Sequence, residues 1–244
     1  EQVWRHTGKP ALIVAPLGVA AQTVGEGVKF GIEVTRCRQP QDVKGGVNIT
    51  NYERLHLFDR HQFSALIIDE AGILKGGGPI ANGIIEFGRP IPYRLGATAT
   101  PAPNETMELV NHAAYLGIME PRECMATFFQ QDGNTTNKWR LKNHARRDFW
   151  DWVSTWAAAC RKPSDWGLSD AGYELPPLHV IDHSVEVPLS VAQAQGSLFA
   201  AEAAGIQQQR SVRKATLEQR CGVAAEIARS ANEPVIVWTD LNTE

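Results

Sequence analysis

Short apolar runs alternate with polar, helix-compatible stretches over the first hundred residues of the chain. The runs cover residues 11–15, 32–35, 47–50, 65–68 and 93–97. Runs this short and this apolar are typical of strands buried on both faces, and helices can occupy the stretches between them. The alternation therefore predicts an α/β protein built on a parallel sheet flanked by helices.

Two of the intervening stretches carry helix signals. Between the first two runs, Ala20 and Val24 lie on one helical stripe, and Gly31 is placed to end that helix. After the fifth run, Asn104 is a suitable N-cap for a helix that ends near Gly117. These signals predict helices at about 19–30 and 104–117.

The pattern changes after residue 118. Five of the seven tryptophans lie between residues 119 and 173, and the strand rhythm is lost there. Phe149, Val153 and Trp156 recur at helical spacing, which predicts a helical insertion over 119–173.

The remaining residues, 174–244, begin with a proline-bearing connector. Ser190 and Gln193 match a capping box, and a long polar helix is predicted for 211–231. A strand is predicted at 234–238, where the letters read PVIVW. Because the chain stops soon after this run and opens without Met, we expect it to be a fragment.

Charge and composition exclude several classes of protein. The net charge of −3 and pI of about 6.2 mean that nucleic acid could be bound only through a local basic patch. No apolar run approaches the ~18 residues of a membrane span, and the polar opening is unlike a secretory signal. Four widely spaced cysteines fit neither a zinc site nor a disulfide framework, which predicts a reduced, cytoplasmic setting.

The letters IIDEAG place two acidic residues at the end of a predicted buried strand. In open α/β sheets, ligands bind outside the carboxyl ends of the strands. Side chains alternate along a strand, so Asp69 and Glu70 cannot serve the same purpose. One could hold Mg²⁺ while the other polarises a water molecule, although an acidic pair at a strand end is more often simply a pair of solvated acids.

The letters GATATP follow the last predicted strand. Small hydroxyl side chains at this position, Thr98 and Thr100, could hydrogen-bond to the acidic pair and respond to a γ-phosphate. The alternative is a tight strand-to-helix turn that uses Gly, Thr and Pro for backbone reasons.

The order of these elements resembles superfamily 2 helicases and translocases. ALIVAPLGVAAQ, NITNYERL, IIDEAG and GATATP follow one another as motifs Ia, Ib, II and III do there. The sequence is most similar to the SWI/SNF-type branch and its phage and bacterial relatives, in which an ITNYE-like element precedes the acidic motif. ELPPLHV with VEVPLSVAQ is similar to the linker into that family's second domain, and PVIVWTDLN to its first strand and motif IV.

This resemblance implies a fold and an activity. Residues 1–118 would form a partial RecA-like domain, 119–173 an insertion, and 174–244 a linker and the start of a second RecA-like domain. The parent protein would be an ATP-dependent helicase or translocase that uses ATP and Mg²⁺ and moves on double-stranded DNA. The family's GxGKT phosphate loop and its motifs V and VI are not in this sequence. The 244-residue chain is therefore predicted to be inactive on its own.

The resemblance also implies residue roles. Asp69 would coordinate Mg²⁺·ATP, Glu70 would activate the attacking water, and Thr98 and Thr100 would couple nucleotide state to domain movement. Four residues would lie along the nucleic-acid track: Pro16, Leu17, Asn51 and Tyr52. Two other functions remain open, namely the motor subunit of a restriction nuclease and a non-catalytic nucleic-acid-binding scaffold.

A basic run in the insertion offers a second candidate for contact with nucleic acid. Lys138, Arg140 and Lys142, followed by Arg146 and Arg147, could contact phosphates or form an ordinary solvated helix face. The nearby tryptophans at 150, 152 and 156 could stack on bases, but core packing is the more usual role for tryptophans at helical spacing.

Overall fold

The structure, a computed structural model, describes residues 1–102, 105–131, 139–185 and 213–239. The chain divides into two compact units, Glu1–Arg161 and Lys162–Glu244. The first unit contains every strand of the described residues and is the one that positions the candidate site.

A five-stranded parallel sheet forms the centre of the first unit. Its strands are β1 (Ala11–Ala15), β2 (Val34–Arg36), β3 (Val47–Asn51), β4 (Ala65–Asp69) and β5 (Tyr93–Ala97). They are arranged in the order β2-β3-β1-β4-β5, and each neighbouring pair is parallel. The predicted α/β fold is therefore confirmed, and the boundaries of all five strands agree with the apolar runs to within two residues.

Helices pack on the sheet and leave one part of it open. Three helices pack on the sheet, α2 (Ala20–Lys29), α3 (Pro79–Gly88) and α4 (Leu109–Leu116), while α1 (Gln2–Thr7) precedes β1 and buries none of its residues. One buried cluster joins α3 and α4 to the sheet through Leu66, Ile68 and Tyr115, and a second joins α2 to β1 and β3. Tyr93 and Leu95 of β5 remain 43% and 57% exposed, and no described strand pairs with the outer edge of β5.

The segment after α4 is not wholly helical, contrary to the prediction. It contains α5 (Pro121–Phe128) and α6 (Arg146–Ser154), but between them β6 (Phe129–Gln131) and β7 (Trp139–Leu141) pair in an antiparallel ribbon. Phe128, Phe129 and Phe149 form a buried aromatic cluster, which explains the ribbon because it brings β6 against α6. The Phe149 and Val153 stripe is confirmed as the buried face of α6.

The helix predicted for 104–117 begins later than expected. Its last turns are confirmed as α4, and Gly117 ends it with a φ of 72°. A short 3₁₀ helix, Thr106–Glu108, precedes α4, and the predicted N-cap Asn104 lies outside the described residues.

The second unit contains α7 (Leu217–Ser230), which confirms part of the helix predicted for 211–231. The strand predicted at 234–238 is wrong: these residues form no strand, and Ile236 and Trp238 are 79% and 91% exposed. A strand needs a hydrogen-bonding neighbour, and the described residues of this unit offer none. Ser190 and Gln193 lie outside the described residues. Among the helices described, none combines the length and apolarity needed to cross a lipid bilayer.

Candidate active site at the carboxyl edge of the sheet

Asp69 is the last residue of β4, and Glu70 follows it at the carboxyl edge of the sheet. Asp69 is half-buried and Glu70 exposed. Glu70 has φ 56° and ψ 53°, and it is the one residue other than glycine with a positive φ among those described. A left-handed backbone costs an L-residue about 1–2 kcal/mol, so the chain turns sharply here at an energetic cost. Asp69 thus belongs to the strand, whereas Glu70 belongs to the turn that follows it.

Tyr52 connects the predicted nucleic-acid element to this turn. It opens a 3₁₀ helix, Tyr52–Leu57, directly after β3, and its hydroxyl donates to the main-chain carbonyl of Asp69 and, at 3.2 Å, to that of Glu70. Burial raises the pKa of the Tyr52 hydroxyl, and the charges of Asp69 and Glu70 raise it further. The hydroxyl therefore keeps its proton at neutral pH and remains a donor.

The threonine turn packs against the acidic turn. Gly72 lies two residues after Glu70. A Cβ placed on Gly72 would lie 3.5 Å from Thr98 Oγ1 and 3.6 Å from Thr100 Oγ1, so both hydroxyls are close to Gly72. Thr98 Oγ1 also accepts from the backbone N–H of Thr100 at 3.1 Å. The structure thus brings the residues of IIDEAG and GATATP together, because β4 and β5 are paired neighbours whose carboxyl ends meet.

The acidic pair has the chemistry of a partial Mg²⁺ site. Asp69 Oδ1 accepts from the N–H of Glu70 at 3.1 Å, which orients the carboxylate and leaves its other oxygen without a hydrogen bond from the described residues. No group of three or more metal-ligating side chains occurs among the described residues. Mg²⁺ is commonly held by one or two carboxylates together with waters and substrate phosphates, and Asp69 fits that mode.

The four residues of the predicted nucleic-acid track share the same edge of the sheet. Pro16 and Leu17 follow β1, while Asn51 ends β3 and Tyr52 comes next. Leu17 is 62% exposed, whereas Asn51 is buried and donates through its amide to the carboxylate of Glu53. Leu17 and Asn51 line one small pocket, so the structure brings these two residues together.

The basic run of the insertion is dispersed by its local structure. Arg140 lies in β7 opposite Gln130, so the interpretation of the whole run as one helix face is wrong. Lys142 donates to the carbonyl oxygens of Ala126 and Thr127 at 2.6 and 3.0 Å, where α5 ends. Its ammonium group caps a helix, since cations stabilise exposed carbonyls there. Lys138 lies outside the described residues.

The tryptophans pack mainly within the insertion. Trp152 stacks on Phe128 with ring centroids 5.2 Å apart and meets Trp156 edge-on at 5.3 Å. Both are only partly exposed and belong to the same apolar cluster as Phe149. Trp150 is 47% exposed. The packing role predicted for Trp152 and Trp156 is confirmed.

Sequence reasoning did not identify three arginines beside the predicted nucleic-acid track. Arg36 ends β2, Arg38 follows it, and Arg54 lies in the 3₁₀ helix after β3. The signal that could have found them is their position, because each one lies at or just beyond the carboxyl end of a predicted strand.

Comparisons with protein-family models and with curated proteins found no match to this chain.

Proposed function

We propose that this chain is part of an ATP-dependent motor that moves on double-stranded DNA, and that one edge of its sheet carries both the acidic pair and the residues that contact nucleic acid. The observation that supports this most strongly is the meeting of four features at one edge of a parallel sheet. These are a carboxylate pair, a threonine turn packed on it, a tyrosine that holds the turn, and a basic pocket two strands away. We place the motor in the cytoplasm, as the cysteine spacing suggests.

The two acids have different roles in this proposal. Asp69, oriented by the N–H of Glu70, holds Mg²⁺, and bound Mg²⁺ would neutralise charge on the transferring phosphoryl group. Glu70, exposed and turned away by its left-handed backbone, accepts a proton from the attacking water. A carboxylate with this role needs water access, and the exposure of Glu70 supplies it.

The neighbours of the acids would transmit the state of the nucleotide. The hydroxyls of Thr98 and Thr100 lie beside Gly72 in the acidic turn, and a shift of this turn toward them would displace the residues that lead into α4. Tyr52 touches the same turn from the nucleic-acid side. Contacts on both sides of one strained turn are a physical route by which hydrolysis and nucleic-acid binding could be coupled.

The test measures ATP hydrolysis, with and without double-stranded DNA, in a protein that joins this chain to the GxGKT phosphate loop and second domain that the proposal requires. Glu70→Gln should keep Mg²⁺-dependent ATP binding and reduce turnover by ~10²- to 10⁴-fold, which is the usual loss for a catalytic base. Asp69→Asn should instead weaken the Mg²⁺-dependent part of ATP binding. Glu86→Gln, which removes an exposed carboxylate on α3, is the matched control. Equal turnover in the wild type and Glu70→Gln would overturn the assignment of Glu70.

A further inference from the structure

A polar contact joins α4 to the turn that carries the acidic pair. Asn111 Nδ2 donates to the main-chain oxygen of Leu74 at 2.8 Å. Leu74 is the last residue of a short 3₁₀ helix, Ala71–Leu74, which begins directly after Glu70. Its oxygen also accepts from the backbone N–H of Gly77 at 3.3 Å. A side-chain amide of α4 therefore helps to end the acidic turn.

Backbone hydrogen bonds connect this contact to Glu70. The N–H of Ile73 donates to the main-chain oxygen of Glu70 at 3.1 Å. Two residues further on, the N–H of Lys75 donates to the main-chain oxygen of Gly72 at 3.3 Å. Each of these bonds spans three residues of one short helical segment. A restraint on the Leu74 oxygen therefore also restricts the conformation of the residues between Leu74 and Glu70.

The next residue of α4 makes a corresponding contact with the threonine turn. His112 Nε2 lies 3.0 Å from the main-chain oxygen of Pro101, the last residue of GATATP. A carbonyl oxygen can only accept, so Nε2 carries the proton and is the donor of this hydrogen bond. Consecutive residues of one helix thus bind main-chain oxygens of both turns.

A third side chain fixes α4 to the sheet. Tyr115 is 1% exposed, and its hydroxyl donates to the main-chain oxygen of Leu66 in β4 at 2.7 Å. Tyr115 lies four residues after Asn111, which places both on the same side of α4. Because β4 ends at Asp69, the helix that contacts the acidic turn is itself bound to the strand that leads into this turn.

A second amide contacts the chain beyond this turn and provides a comparison. Asn82 of α3 donates to the main-chain oxygen of Gly77 at 3.1 Å. This bond lies outside the 3₁₀ helix, and Asn82 is exposed, whereas Asn111 is half-buried. Asn82 therefore serves as the matched control for the loss of one amide hydrogen bond near the acidic turn.

We propose that Asn111 is a positioning residue that keeps the acidic turn closed and so fixes Glu70 relative to the threonine turn, which His112 holds. This inference rests on the proposed function, because the position of Glu70 matters for hydrolysis only if Glu70 accepts the proton of the attacking water. Asn111 acts on the main chain of the turn and not on a reacting atom. A displacement of about 1 Å at a catalytic group can reduce a rate about 10²-fold, so a contact of this kind can control turnover without touching the nucleotide.

The first experiment measures amide hydrogen exchange in the 244-residue chain by NMR. Asn111→Leu keeps the size of the side chain and removes a hydrogen bond that exists only when the turn is closed. Exchange of the Ile73 and Lys75 amides should therefore become about fivefold faster. Asn82→Leu should leave both rates unchanged. A general loss of stability would instead accelerate exchange of Ile13 in the middle of β1, which requires global unfolding.

A second variant tests the amide donor itself. Asn111→Asp has almost the same shape, but its carboxylate cannot donate and repels the Leu74 oxygen at neutral pH. Exchange of Ile73 should therefore be faster than in Asn111→Leu. If neither variant accelerates the exchange of Ile73 and Lys75 relative to that of Ile13, Asn111 does not hold the turn and the inference is wrong.

The second experiment measures ATP hydrolysis in a protein that joins this chain to a GxGKT phosphate loop and a second domain. Asn111→Leu should lower kcat about 10²-fold and change KM for ATP by less than about twofold, because it displaces the base without removing a contact to the nucleotide. If the variant opens the turn but hydrolyses ATP as fast as the wild type, the inference is overturned and the proposed function stands. If it opens the turn and the wild type has no turnover that depends on Glu70, the proposed function is overturned, while the contact by which Asn111 closes the turn stands.

Discussion

The hydroxyl of Tyr52 lies 3.2 Å from the main-chain oxygen of Glu70, a residue held in a left-handed conformation. The two residues are 18 positions apart in the chain and belong to the ends of different strands. The Tyr52 hydrogen bond adds to the backbone bond that the N–H of Ile73 donates to the same oxygen at 3.1 Å, so two donors hold this turn. Substituting Glu70 and removing the hydroxyl of Tyr52 should therefore have coupled effects on the free energy of unfolding.

Glu70→Gly should raise the free energy of unfolding by about 1 kcal/mol, because glycine adopts the left-handed conformation without steric cost. Tyr52→Phe should lower it by about 1 kcal/mol through loss of the hydrogen bond. Urea denaturation of the two single variants and the double variant measures both effects and their coupling. Glu70→Ala is the control, since it removes the carboxylate but keeps the backbone strain. A Glu70→Gly variant no more stable than Glu70→Ala would show that the turn is not strained.

The 244-residue chain should not bind Mg²⁺·ATP with micromolar affinity. Asp69 and Glu70 supply only negative charge, and none of the described residues forms a glycine-rich phosphate cradle with an accompanying lysine. Without such a cradle the acidic edge repels the triphosphate. Isothermal titration calorimetry provides the measurement, with Mg²⁺·ADP titrated in parallel. Micromolar binding that Asp69→Asn removes would mean that other residues of the chain neutralise the phosphates.

Lys142 should contribute to stability more than a surface lysine does. Lys142→Met keeps the aliphatic stem and removes the donor to the carbonyls of Ala126 and Thr127, so the free energy of unfolding should fall by about 1 kcal/mol. Arg147→Gln, at an exposed position in α6, should change it by less than about 0.5 kcal/mol. Thermal denaturation of both variants tests this prediction by comparing their melting temperatures. Equal melting temperatures would leave Lys142 free to contact phosphate.

The stability of the chain should depend on pH through His112. Its ring is buried and its Nε2 lies 3.0 Å from the carbonyl oxygen of Pro101. Burial lowers the pKa of His112, and the Pro101 contact and the charge of Glu108 only partly oppose this. Below a pH of about 6.5 the unfolded chain takes up a proton before the folded chain does, so the free energy of unfolding should decrease as the pH falls.

Urea denaturation at pH 7.5 and at pH 5 tests this dependence. The loss of stability attributable to His112 can reach about 1.4 kcal/mol for each pH unit between its unfolded and folded pKa values. His112→Gln should reduce that loss, whereas His56→Gln, which removes an exposed histidine, should not. Identical pH dependence in the wild type and His112→Gln would contradict the prediction.

The sheet could be predicted from the sequence because runs of β-branched and apolar residues indicate buried strands directly. The five strands, and the placement of Asp69 and Glu70 at the end of β4, follow from local pattern. The ribbon of β6 and β7 was not predictable in this way, since its strands of three residues are too short to show alternation and are fixed by packing of Phe129 on Phe149. The 234–238 run shows the converse, an apolar pattern without a partner strand.

The residues of the candidate site could be chosen from the sequence, but the contacts among them could not. The acidic pair and the two threonines could be chosen from their positions after neighbouring strands. The hydroxyl contact of Tyr52, the amide contact of Asn111 and the cap formed by Lys142 depend on side chains that meet from distant parts of the chain. Sequence spacing carries no information about such meetings unless the strand order is known.

The outer edge of β5, with which none of the described strands pairs, has a consequence for the purified chain at high concentration. Its outer edge presents a row of main-chain donors and acceptors, and Leu95 and Tyr93 add apolar surface on the same strand. Two copies related by a twofold axis can join these edges, which would continue the hydrogen-bonded ladder across the seam into a sheet twice as wide. Self-association of this kind would stop at the dimer, because the β5 edge of each copy is then paired with the β5 edge of the other.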